Sequence, residues 1–173
     1  MSEGVKQHLP VICIVTIVAM ASGAFALMRV NDAAASMSVE TYSTLIFLIP
    51  CAAMLIGSFI IAVTAQTIGR QLYVVVLGIC FVLGLVSLVG TSVGMSDPAV
   101  VSALLANSPD GTTITPITDS PLIVMRNIAA YIVVPTIGCI AGAWIGSRIH
   151  PVAREGKGGG KNGSAGKGKG KRK

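Results

Sequence analysis

Few residues in this sequence are equipped for chemistry. His8 and His150 are its two imidazoles, and neither stands in a Ser/His/Asp grouping or beside paired carboxylates. Cys13, Cys51, Cys80 and Cys139 fall in four separate hydrophobic runs, with no CxxC and no Cys/His cluster. That spacing signals neither a zinc site nor a local disulfide framework. The cysteines read as small apolar side chains. One strongly polar pair, Arg126 with Asn127, lies inside a hydrophobic run. An ionisable residue in a membrane segment usually faces protein or a water-filled path, so the pair is a candidate intramembrane polar site. Its position about a turn from the end of the run also suits an interfacial anchor that reaches the headgroups. No acid lies deep in any run to carry protons. The pattern predicts no catalytic residue, no metal ligand set and no cofactor.

The elements that position this pair follow from composition. Apolar residues make up 53% of the 173 residues and charged ones only 12%, against about 25% charged in a soluble domain. Mean hydropathy is +0.78. A water-facing surface over most of the chain cannot be built from these residues. A spanning helix needs roughly 20 mostly apolar residues, and four runs supply them: Leu9–Met28, about Ser43–Ala65, Leu72–Met95 and Leu122–Gly146. The third, rich in Leu, Ile, Val and Phe and free of charge, inserts most easily. The fourth carries Arg126, whose cost of about 2.5–3.5 kcal/mol at a helix centre falls near an end. The expected fold is all-α and integral to the membrane, with about four transmembrane helices packed through small residues. Residues 1–150 form the transmembrane domain and residues 151–173 a disordered polybasic cytoplasmic tail.

Small residues recur at four-residue spacing. Gly138, Gly142 and Gly146 form two overlapping GxxxG steps, Gly90 and Gly94 another, and Ala53 and Gly57 a fourth, with Ala19 and Gly23 alike in the first run. In lipid, helices associate through close backbone approach at such residues, because the hydrophobic drive between them is weak. The ladders are expected to pack helices, within the chain or between subunits. Pro50 and Pro135 each remove a backbone hydrogen bond and predict kinks. Thr16, Thr64 and Thr136 are placed to re-satisfy freed groups or to bond across helices. Asp97-Pro98 predicts a short helix over Ala99–Ala106, with Asp97 as its cap. The loop around that helix is long for a bundle and carries no aromatic residue and no His, which suggests contact with a partner subunit.

Charge sets the orientation. Eight basic residues, Arg154, Lys157, Lys161, Lys167, Lys169, Lys171, Arg172 and Lys173, stand in the tail against Glu155. The net charge of +6 therefore belongs to the tail, and the body is slightly acidic. With both termini cytoplasmic, the inner segments hold nearly all the Lys and Arg. The outer loops hold Asp32, Glu40, Asp97, Asp110 and Asp119. That is the positive-inside pattern of a multi-pass protein of the cell membrane. Ala24-Phe25-Ala26 resembles a signal-peptidase site, yet the first run is long and its n-region offers only Lys6, so a retained helix is expected. The Gly/Lys tail buries too little to fold. It is suited to anionic lipid or to an acidic soluble subunit, and nucleic acid is the weaker alternative.

These features favour a small accessory subunit of a multi-subunit membrane complex, with hetero-oligomer preferred over homo-oligomer. Size and hydropathy are similar to the small membrane subunits of ion-translocating, energy-converting assemblies such as energy-converting hydrogenases, an analogy of architecture with no shared motif. Such a subunit belongs to an enzyme complex without carrying its chemistry. Two alternatives stand beside it: a small oligomeric channel or transporter with Arg126 and Asn127 near the path, and a membrane scaffold acting through its tail.

Overall fold

The computed structural model describes residues 3–65, 69–114 and 120–149. The eight basic residues of the tail, together with His150 and Asp119, lie outside them. Among the described residues every regular element is helical: α1 (Glu3–Asp32), a 3-10 turn (Ala34–Ser36), α2 (Val39–Ala65), α3 (Arg70–Gly94), α4 (Pro98–Ala106) and α5 (Pro121–Ile149). The four long helices are long and apolar enough to cross a membrane, the architecture of a multi-pass membrane protein. Helices α1, α2 and α5 extend beyond the apolar runs, which places Asp32 and Glu40 at helix ends, whereas α3 nearly coincides with its run. The helices also run through Pro10, Pro50 and Pro135.

Three helices bury stripes at four-residue steps. On α2 the stripe is Tyr42, Ile46, Pro50, Met54, Ser58 and Ala62, and on α5 it is Asn127, Tyr131, Pro135 and Cys139, with Gly138, Gly142 and Gly146 as a second row. On α3, Leu72, Val76, Cys80 and Gly84 repeat the spacing. Residues four apart share one helix face, so each stripe is a single contact ridge.

Neighbours in sequence are not the closest neighbours in space. The most extensive contact joins α2 to α5, whereas α2 and α3, joined by a short connection, touch little. The glycine ladder accounts for this. A Cβ placed on Gly138 would lie 2.7 Å from the Leu55 carbonyl oxygen, and one on Gly146 2.7 Å from that of Val63. On Gly142 it would lie 2.5 Å from the Phe59 carbonyl oxygen. The backbones of α2 and α5 therefore meet directly and run parallel, residues 55, 59 and 63 matching 138, 142 and 146. Ser58, fully buried and bonded through its hydroxyl to the Leu55 carbonyl at 3.0 Å, lies in the same seam.

Gly57 does not pair with this ladder. Gly57 instead faces α1, where its Cβ position is 3.6 Å from Val15 and 3.8 Å from Ala19. Gly94 touches Asn31 and Tyr42 only loosely. Gly90 meets nothing within 4 Å, so within this chain it packs no helix. Antiparallel α3 closes on α5 by two contacts. The Tyr131 ring lies flat on Gly84, where a Cβ would be 2.9 Å from Cε2, and the Tyr73 and Thr136 hydroxyls hydrogen-bond at 3.0 Å. Thr136 also donates to the Ile132 carbonyl.

Helix α1 is peripheral. Only 6% of its most apolar stretch is buried, and Ile14, Ile17, Val18, Phe25 and Met28 are exposed. Cys51, Cys80 and Cys139 are buried in the main core, Cys13 is exposed, and all four are free thiols.

A second core closes the end of the bundle where α1 turns into α2, here termed the loop end. Tyr42, fully buried, donates its hydroxyl to Asn31 Oδ1 at 2.7 Å. Leu104 of α4, also fully buried, packs into a cluster with Val30, Ala34 and Ile46. Asp97 caps α4 as its sequence predicts, its Oδ1 accepting from the Ala99 N–H at 2.9 Å. At the other end of α4, Asn107 Nδ2 donates to the Ala35 carbonyl at 2.6 Å and Ser108 Oγ accepts from the Val39 N–H at 2.9 Å. The long loop is thus docked on the chain itself through Leu104, while Leu105 stays exposed. Gly111, with φ of +86°, turns the chain after Asp110 in a conformation glycine tolerates best.

Candidate functional site

The first turns of α5, the start of α2 and the end of α3 converge at the loop end around a cavity of about 270 Å³. Its polar lining is Arg126, Asn127, Ser43, Thr91 and Thr113, and its apolar walls include Ile46, Ile114, Ile123 and Tyr131. The pair singled out by sequence is therefore brought to one concave place, and three hydroxyl residues from other elements join it. Those three carry no sequence signal, since Ser43 and Thr91 are ordinary in membrane helices and Thr113 is ordinary in a loop.

Arg126 and Asn127 differ sharply in environment although adjacent. Arg126 is exposed, its guanidinium carbon 4.6 Å from the centroid of the Phe47 ring. Such stacking contributes roughly 0.5–1 kcal/mol at an exposed position. Asn127 is 5% exposed, and its Oδ1 is buried with no hydrogen-bond partner among the described residues. A buried amide oxygen without a partner costs on the order of 1–3 kcal/mol. The hydroxyls do not relieve it: Ser43 donates to the Glu40 carbonyl at 3.0 Å and Thr91 to that of Leu88 at 2.9 Å.

The arginines also mark membrane depth. Arg29 stacks on Phe25 and Arg126 on Phe47 at the loop end, and Arg148 stacks on Trp144 at the other. The helical rise from Arg126 to Arg148 amounts to about 33 Å, close to the roughly 30 Å of a hydrocarbon core. Arg126 thus stands at one end of a stretch of span length and lines the cavity at the same time.

A second, largely apolar crevice of about 240 Å³ lies among α1, α2 and α3. Ala19, Gly23, Ala53, Gly57 and Gly90 line it. Gly23 and Gly90 have open space where a Cβ would stand. No group of His, Cys, Asp and Glu able to hold a metal occurs among the described residues. Compared with known proteins, the chain matches no family model, no curated protein and no solved structure.

Proposed function

We propose that this chain is a small accessory subunit of a multi-subunit membrane complex, acting in assembly or anchoring. The observation that carries the reading is the crevice whose glycines Gly23 and Gly90 stand open. Gly138, Gly142 and Gly146 are consumed in the α2–α5 seam, whereas Gly23 and Gly90 have nothing within 4 Å of a Cβ position among the described residues. Lipid gives helices little hydrophobic reason to associate, so small residues on an accessible groove are suited to receiving another protein's helix. An energy-converting, ion-translocating assembly is the setting that size and hydropathy favour, by analogy of architecture alone.

Purification in mild detergent tests this. Stoichiometric partners should co-purify, and Gly90→Leu should lower their yield about tenfold while the chain's own thermal midpoint holds. A solitary or homo-oligomeric chain that conducts solute in liposomes would replace the proposal with the channel or transporter reading, which the Arg126–Asn127 cavity favours.

Both termini are placed in the cytoplasm by the Lys/Arg asymmetry. The tail then meets the inner leaflet, where each basic residue near the surface contributes about 1 kcal/mol of attraction to anionic lipid. A cysteine introduced at Ser164 in a Cys13→Ser background should react with an impermeant maleimide only after cells are permeabilised. Labelling of intact cells would invert the topology.

A further inference from the structure

We propose that the loop-end cavity binds an anionic amphiphile whose head carries both a phosphate and a hydroxyl, the chemistry of a glycerol phosphate group. Three observations converge on that class, none of them dependent on the accessory-subunit reading. First, the cavity of about 270 Å³ far exceeds what one buried water needs, and walls such as Ile46, Ile114 and Ile123 suit an apolar portion better than a water cluster. Second, Arg126 lines the cavity at one end of a stretch of span length and offers a planar fork of N–H donors, which matches a phosphate bidentately. Third, Asn127 is buried in the wall with its Oδ1 unpartnered among the described residues.

An anion alone answers only the arginine. The free amide oxygen requires a donor; the Ser43 and Thr91 hydroxyls already spend theirs on backbone carbonyls, and Thr113, also in the lining, does not bond it. A ligand hydroxyl supplies that donor once the amide turns about its terminal torsion, which is soft and broad. Phosphate and hydroxyl on one small head thus complement the two polar ends of the cavity, and the attached apolar part meets the aliphatic wall. The head belongs either to a membrane lipid or to a soluble polyol phosphate.

The full chain in nanodiscs of mixed phosphatidylglycerol, phosphatidic acid and phosphatidylcholine provides the test, read by native mass spectrometry of retained lipid and by thermal midpoint. Wild type should retain phosphatidylglycerol about tenfold above its bulk fraction and prefer it to phosphatidic acid, which lacks the hydroxyl. Arg126→Gln should reduce the enrichment to the level that the basic tail, a separate source of anionic-lipid attraction, sustains alone. Asn127→Leu should erase the preference over phosphatidic acid but keep that over phosphatidylcholine. Should that variant fail to fold, the side-chain amide resonance of Asn127 in wild type, shifting on phosphatidylglycerol titration, reports the same contact. Displacement of the lipid by millimolar glycerol phosphate assigns a soluble ligand, and persistence assigns the lipid. Absence of enrichment in wild type, or enrichment and preference over phosphatidic acid that are undiminished by Arg126→Gln, overturns the proposal.

Discussion

Gly142→Leu should separate α2 from α5 and destabilise the chain by at least about 3 kcal/mol, the upper part of the usual range for overpacking a core. The new Cβ would sit 2.5 Å from the Phe59 carbonyl oxygen and 2.6 Å from the Ala62 Cβ. Neither obstacle is the movable tip of a long side chain. Replacing glycine by a better helix former contributes about 1 kcal/mol in the other direction, too little to offset a backbone collision. Insertion itself should survive, because the run keeps its hydropathy. The readout is thermal unfolding in detergent together with maleimide labelling mapped by mass spectrometry. Cys139, 2% exposed beside the seam, should become reactive, with exposed Cys13 as the internal standard. Gly90→Leu is the control: with open space at its Cβ position it should leave stability within about 0.5 kcal/mol or raise it slightly. Equal effects at the two positions would remove the backbone-contact account of the seam.

The contrast between these glycines marks where sequence stops being informative. Four spans were legible because lipid demands roughly 20 apolar residues per crossing, and few other constraints leave so plain a trace. The Gly138–Gly146 ladder was legible as a packing surface for the same kind of reason. Its partner was not. Every run carries small residues four apart, so spacing alone offers Ala53 and Gly57 as candidates, yet the ladder receives the α2 backbone at Leu55, Phe59 and Val63. A glycine groove accepts a ridge of carbonyls without asking for small residues opposite, and the ridge leaves no sequence signature. Likewise Tyr131 finds Gly84 across the bundle by shape, a relation no local pattern encodes. At the candidate site, Arg126 and Asn127 stood out because charge and amide are costly in a span. Ser43 and Thr91 did not, since a hydroxyl bonded to its own helix is unremarkable there, and Thr113 did not, since it lies in the irregular loop after Gly111. The burial of Asn127 beside an exposed Arg126 arises from the turn of the helix against α2 and α3, which requires knowing the neighbours.

Leu104→Ala should release α4 from the loop end at a cost of about 2–5 kcal/mol, the range for truncating a fully buried leucine. Leu104 is 0% exposed and joins Val30, Ala34, Tyr42 and Ile46 in a core separate from the main one. With that anchor gone, α4 retains the Asp97 cap, which stabilises the helix locally but does not dock it. The docking bonds from Asn107 to Ala35 and from Val39 to Ser108 depend on the leucine holding the helix in place. Hydrogen exchange over residues 97–108 should accelerate by two to three orders of magnitude, in line with a loss of about 3–4 kcal/mol at 1.4 kcal/mol per tenfold change. The α2–α5 seam should stay protected, because the two cores share few contacts beyond the start of α2. Ile114, which packs against this second core, also forms part of the cavity wall beside Arg126. Leu104→Ala should therefore weaken retention of the anionic amphiphile without altering the arginine. Unchanged exchange in α4 would show that the helix docks through its hydrogen bonds alone and would detach the cavity from the second core.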